Sequence, residues 1–173
     1  MINHNLLIYD ILDRKFSVNW GGNDWIVNFT EGDLYELANK LNESTTKYPI
    51  IWLQQGYSVR RDKMLQKTTL SGCRFYFITV SDATTRYKQR YEKTYNEFLY
   101  KILLKFDKTI DKTTGLSASL SDDIRTFPLN DIAQLSAAEK GEKIAIQDIW
   151  DAIELSTDIE ISNECFPQFK INL

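Results

Sequence analysis

Carboxylates at close spacing near the C-terminus are the residues that come nearest to a chemical site. Asp151, Glu154, Asp158 and Glu160 crowd one short stretch, and Asp122-Asp123 form a pair upstream. Oxygen ligands of this kind hold hard divalent cations when they converge. Carboxylates spaced along a strand also make an ordinary solvated face, and that is the reading adopted here. His4 is the one histidine, and Cys73 and Cys165 are the two cysteines. These are too few for a four-ligand zinc site, and one histidine at a chain terminus gives acid–base catalysis little to use. Gly21-Gly22 stands without the flanking pattern of a phosphate-binding loop, and no CxxC, HExxH, GxSxG or Walker motif occurs. The expectation is therefore a protein with no catalytic residues, no cofactor and no bound metal.

Cations are the other concentration of charge. Arg86, Lys88, Arg90, Lys93, Lys101, Lys105 and Lys108 fall within one helical stretch, against Glu92, Glu97 and Asp107, and Arg60, Arg61, Lys63 and Lys67 precede them. Tyrosines interleave with these cations, a composition that nucleic-acid surfaces use. The same tyrosines recur at helical spacing, which makes them core residues first and leaves the lysines as a solvent or partner face. A nucleic-acid-binding module built on the lysine-rich helix 84–108 is the alternative reading.

The elements that carry these charges can be read from periodicity. Tyr87, Tyr91, Tyr95, Phe98, Ile102 and Phe106 recur at steps of three or four, which predicts a long amphipathic helix from Thr84 to Asp107. Cys73–Val80 is dense in aromatic and β-branched residues and reads as a strand. Tyr48–Leu53 is continuously apolar after Pro49, so a strand covered on both faces is expected. Ile149–Ile161 alternates: 149, 153, 155, 157, 159 and 161 make one apolar face, broken by Asp151, and the carboxylates from Glu154 onward make an acidic, wet one. Upstream, Leu6–Leu12 is a helical turn or an edge strand. Asn19–Trp25 turns between strands at Lys15–Trp20 and Trp25–Phe29, and Thr30–Asp33 caps a helix carrying Leu34, Leu37, Ala38 and Leu41.

Together these elements give one α+β domain, mainly antiparallel or mixed sheet, with the long helix packed on one face. Its parts are a turn-linked N-terminal segment (1–46), a sheet-plus-helix unit (47–108), an extended loop or hairpin arm (109–146), and a terminal strand and tail (147–173). A length of 173 residues, with 43% hydrophobic and 26% charged, is enough for one buried core. The net charge of -3 gives no global basic field. No apolar run approaches the roughly 18 residues that cross a bilayer, and the N-terminus has no positively charged leader, so a protein of the cytoplasm is expected, away from membranes. The arm carries Leu116, Leu120, Ile124, Phe127, Leu129, Ile132 and Leu135, apolar side chains that either finish the subunit's own core or wait for a neighbour.

The order helix, Tyr48-Pro49 strand, aromatic strand ending in Ser81-Asp82-Ala83, long helix, long connection and terminal strand resembles the tail terminator and head–tail joining (neck ring) proteins of tailed bacteriophages. The likeness covers 47–163 and rests on residue classes. It implies a virion structural protein at the neck or tail, made in host cytoplasm, that closes into a homo-oligomeric ring of six or twelve subunits. It also implies contacts with portal or connector and tail proteins, with DNA able to pass through the lumen. The expected interface is the arm (Leu116, Leu120, Phe127, Leu129, Ile132, Leu135), together with Arg90 and Lys101 of the helix meeting Glu154, Asp158 and Glu160 of the next subunit.

Overall fold

In the computed structural model, the described residues are 4–13, 16–43, 48–81, 86–119, 123–128 and 150–162. The elements run α1 (His4–Leu12), β1 (Ser17–Trp20), β2 (Asn23–Ile26), β3 (Asn28–Gly32), α2 (Leu34–Glu43), β4 (Ile50–Gln54), β5 (Ser58–Asp62) and β6 (Lys67–Val80). One continuous helical stretch follows: α3 (Tyr87–Arg90), a π-helical segment (Tyr91–Leu99) and α4 (Tyr100–Lys112). The chain then adds β7 (Leu116–Ala118), β8 (Asp123–Pro128) and β9 (Trp150–Ser162). The fold is α+β.

β6 and β9 form the middle of a seven-stranded sheet, antiparallel to one another over twelve register pairs from Lys67↔Ser162 to Val80↔Trp150. Each is long enough to take two partners along its outer edge. β6 pairs with β4 through its C-terminal half and with β5 through its N-terminal half. β9 pairs with β8 and β7 in the same divided way. β3 adds to β4 in parallel, with α2 as the crossover between them. Asp33 caps that helix as its position predicts, its carboxylate accepting the Glu36 N–H at 3.0 Å.

The continuous apolar run of β4 is buried on both faces. Ile51 and Leu53 enter one core while Ile50 and Trp52 enter the other. The first core packs Phe75, Phe77, Ile153 and Leu155 of the sheet against α1 and the long helix. The second packs Tyr76, Ile78, Trp150 and Ala152 beneath Leu34, Leu37 and Leu41 of α2. The helical stripe holds for Tyr95, Phe98, Ile102 and Phe106, all buried, with Leu99, Leu103 and Ile110 added to it. Tyr91 departs and is partly exposed. The Tyr100 N–H bonds the Tyr95 carbonyl, five residues back, and in this wider turn a residue four positions earlier no longer sits over the same face.

Two expectations change in detail. The wet face of the last strand is dry over its first half: Trp150 and Ala152 are buried beneath α2, and Glu154, 8% exposed, lies between Tyr76 and Arg125 on the neighbouring strands. The arm expected from residue 109 is regular at its start. Residues 109–112 finish α4, while β7 and β8 join the edge of β9. Residues 129–149 lie outside the described residues.

Candidate functional site

Asp151, the residue that interrupts an apolar alternation, is fully buried (0% exposed) and pairs in register with Thr79. Its Oδ2 lies 3.4 Å from Nε of Arg90, and its Oδ1 accepts the Tyr95 O–H at 3.3 Å. Burial pushes the Asp151 carboxyl above the ordinary carboxylate range, against the opposing pull of a Ser81 hydrogen bond, the Arg90 charge and the Tyr95 hydroxyl. Burial likewise drives the Tyr95 phenol up, reinforced by Asp151. Arg90 therefore works inside the subunit, fixing the start of the π-helical segment onto β9. Leu116 is likewise buried in the first core.

The acidic residues of β9 are also committed within the subunit. The Glu160 Oε1 accepts Lys67 Nζ at 2.9 Å. Asp158 Oδ1 accepts the Gly72 N–H at 2.8 Å, where β6 bulges between Leu70 and Cys73 and Gly72 takes φ +74°. Glu154 sits in register between Tyr76 of β6 and Arg125 of β8. Neither Asp158 nor Glu160 has the other's role, and nothing brings them together as a cation cage: no group of three His, Cys, Asp or Glu side chains converges among the described residues. Lys101 is exposed on α4, as are Lys105, Lys108 and Lys112, with Leu104 among them. Lys105 is partly spent, donating to the Ser17 carbonyl at 2.6 Å. Phe127 stands opposite Ala152 in β8, and Leu120, Leu129, Ile132 and Leu135 lie outside the described residues.

Other titratable groups serve the fold. Glu31 Oε1 accepts the Tyr57 O–H at 2.6 Å, and burial raises both groups. The Cys73 thiol is buried and pushed up to about 12 by burial, with Asp158 and Glu31 adding to it, so it carries no reactive thiolate at neutral pH. The crevice walled by Ile8, Ile11, Phe75, Ile110 and Ile159 is too narrow to admit a water molecule.

What the structure adds is the β5–β6 hairpin. Every β5 side chain from Ser58 to Arg61 is exposed, and the loop 63–66 presents Met64 (95% exposed) and Leu65 (64% exposed) at its tip. That tip is ordered from within: Asp62 Oδ1 accepts the N–H groups of Met64 at 3.0 Å and Leu65 at 2.9 Å. Arg60, Arg61 and Lys63 surround it, all exposed. In the sequence, Arg60, Arg61 and Lys63 register only as cations, and the apolar pair that follows them has no assigned role. The available signal was Met64-Leu65 inside a turn, where polar residues are the rule.

Comparison of the sequence with protein-family models gives no match, and comparison with curated proteins gives none. The reading of function accordingly rests on the residues and their arrangement.

Proposed function

We propose that this chain is a virion structural protein that closes into a ring at the neck or tail end of a tailed phage, as a head–tail joining or tail terminator subunit. It works by oligomeric assembly between portal or connector and tail, without a catalytic mechanism. The observation that carries the reading is the way the elements behind the phage-ring resemblance come together: the Tyr48-Pro49 strand, the aromatic strand and the terminal strand lie side by side in one sheet, spanned on one face by the long helix. A ring also needs a heterologous contact made from two different surfaces of one subunit. The exposed hairpin and the exposed lysine face of α4 are unlike the acidic N-terminal part of the chain, which suits such a contact.

Negative-stain images and light scattering of the purified full-length chain test this. Closed rings of uniform subunit number are expected, and a subunit that stays monomeric up to high micromolar concentration refutes it. A second reading, nucleic-acid binding through the long helix, has in its favour the exposed Lys101, Lys108 and Lys112. Duplex DNA affinity that falls steeply with salt, in a protein that forms no rings, would favour it.

A further inference from the structure

The β5–β6 hairpin is built like a knob, and nothing among the described residues is seated on it. Met64 and Leu65 are held outward by the Asp62 carboxylate, so the cost of ordering the tip is already met before any partner arrives. The three cations at positions 60, 61 and 63 face solvent, whereas Lys67 at the base of the loop is spent on Glu160. An occupant must therefore offer an apolar contact bordered by carboxylates.

The chain itself carries such a surface. Residues 57–108 hold twelve Lys and Arg against five Asp and Glu, while residues 1–43 hold seven Asp and Glu against three Lys and Arg. Within that acidic part, α2 exposes Tyr35 (57%) beside the exposed Glu36, one turn from Asp33. α2 packs over Tyr76 and Ile78, and the hairpin loop joins β6 at Lys67. Tyr35 follows Gly32, which is level through Gln54 with Arg74, seven residues along β6 from Lys67 and so about 23 Å from the base of a loop that points the other way. A subunit cannot fold its own knob back onto its own α2, but a row of subunits can pass it forward.

We infer that the hairpin tip, Met64 and Leu65 within the Arg60, Arg61 and Lys63 collar, docks on the Tyr35–Glu36 face of α2 in a second copy of this chain. The inference rests on the ring reading and names the contact that closes the ring. Charge orients the approach and the apolar pair supplies the buried centre.

The experiment uses the full chain and two variants, M64D/L65D on the knob and Y35D on the acceptor. Both positions are exposed, and circular dichroism should match wild type. Each variant alone is expected to be monomeric by light scattering. Mixed one to one, they retain one intact knob and one intact acceptor, so heterodimers are expected and rings are not. Rings persisting in either variant would overturn the inference while leaving the ring reading standing. A monomeric wild type would overturn both. Two monomeric variants that fail to pair with one another would overturn the assigned contact. Wild-type binding to a 30-bp DNA duplex that M64D/L65D loses, with oligomeric state unchanged, would also overturn it by making nucleic acid the occupant.

Discussion

Phe98 joins three parts of the molecule, and its truncation is the sharpest test of the fold. It is 1% exposed, lies in the π-helical segment, stacks on Trp20 with ring centroids 4.6 Å apart, and meets Trp25 edge-on at 5.8 Å. Phe98→Ala removes the ring that seats the β1–β2 hairpin on the long helix. Burying a phenylalanine and then deleting it costs about 3–5 kcal/mol, from lost transfer energy and the cavity left behind. The Trp20 stack adds a pairwise share of roughly 0.5–1.5 kcal/mol that a Trp20→Ala/Phe98→Ala cycle isolates. For a domain of this size each kcal/mol moves Tm by about 2–4 °C, so a fall of roughly 6–20 °C is expected. Urea denaturation followed by tryptophan fluorescence and by circular dichroism measures it, with Leu104→Ala on the exposed face of α4 as the control. A loss below about 1 kcal/mol for Phe98→Ala, or one no larger than the Leu104 control, would refute the packing argument.

The raised Asp151 carboxyl has a definite sign. The folded state holds its proton to higher pH than the unfolded chain does, so stability falls as pH rises from the ordinary carboxylate range through the folded value. Asp151→Asn should remove that share of the decline in Tm between pH 4 and 7; identical slopes in the two proteins would contradict it. Gly32 takes φ +139°, and a Cβ there would meet the Glu36 carboxylate, so Gly32→Ala should destabilise by about 1–3 kcal/mol. Adding Glu36→Ala should recover only the contact and not the backbone strain, and complete rescue in urea denaturation would show the strain to be absent. The Lys67–Glu160 pair is partly solvated on both sides, so a Lys67→Ala/Glu160→Ala cycle should give under about 1 kcal/mol, vanishing in 1 M salt. A larger, salt-resistant coupling would mean that a neighbour desolvates it.

Strong periodicity made much of the fold legible. The strands at 48–53, 73–80 and 149–161 stand within a few residues of β4, the C-terminal half of β6, and β9. Their apolar content suits one environment, and nothing tertiary competes with it. The Gly21-Gly22 turn was legible for the same local reason: both residues take positive φ, +61° and +80°, between paired Trp20 and Asn23. β3 was harder because its residues 28–32 share a stretch with a helix cap, and its partner β4 lies beyond α2. The fate of the β9 carboxylates could not be read from spacing. Glu154 is buried in the sheet between Tyr76 of β6 and Arg125 of β8, and Asp158 is engaged because a bulge in β6 frees an amide opposite it. Both depend on elements far along the chain. Arg90 looked like one cation among many, and only its position across from Asp151 gives it an interior role.

The pairing of β6 with β9 also governs how the chain is made. Val80 waits for Trp150, seventy residues later, before the centre of the sheet has its second neighbour. At the usual pace of synthesis of about 5–20 residues per second, that interval is roughly 4–14 s. Throughout it β6, with Phe75 and Phe77, has one long edge unpaired and one apolar face half-covered. A nascent chain in that state is open to pairing with the β6 of another ribosome's product. The expression yield of this protein should therefore depend on how quickly the 81–149 segment is translated, and slow codons placed there should shift product into aggregates.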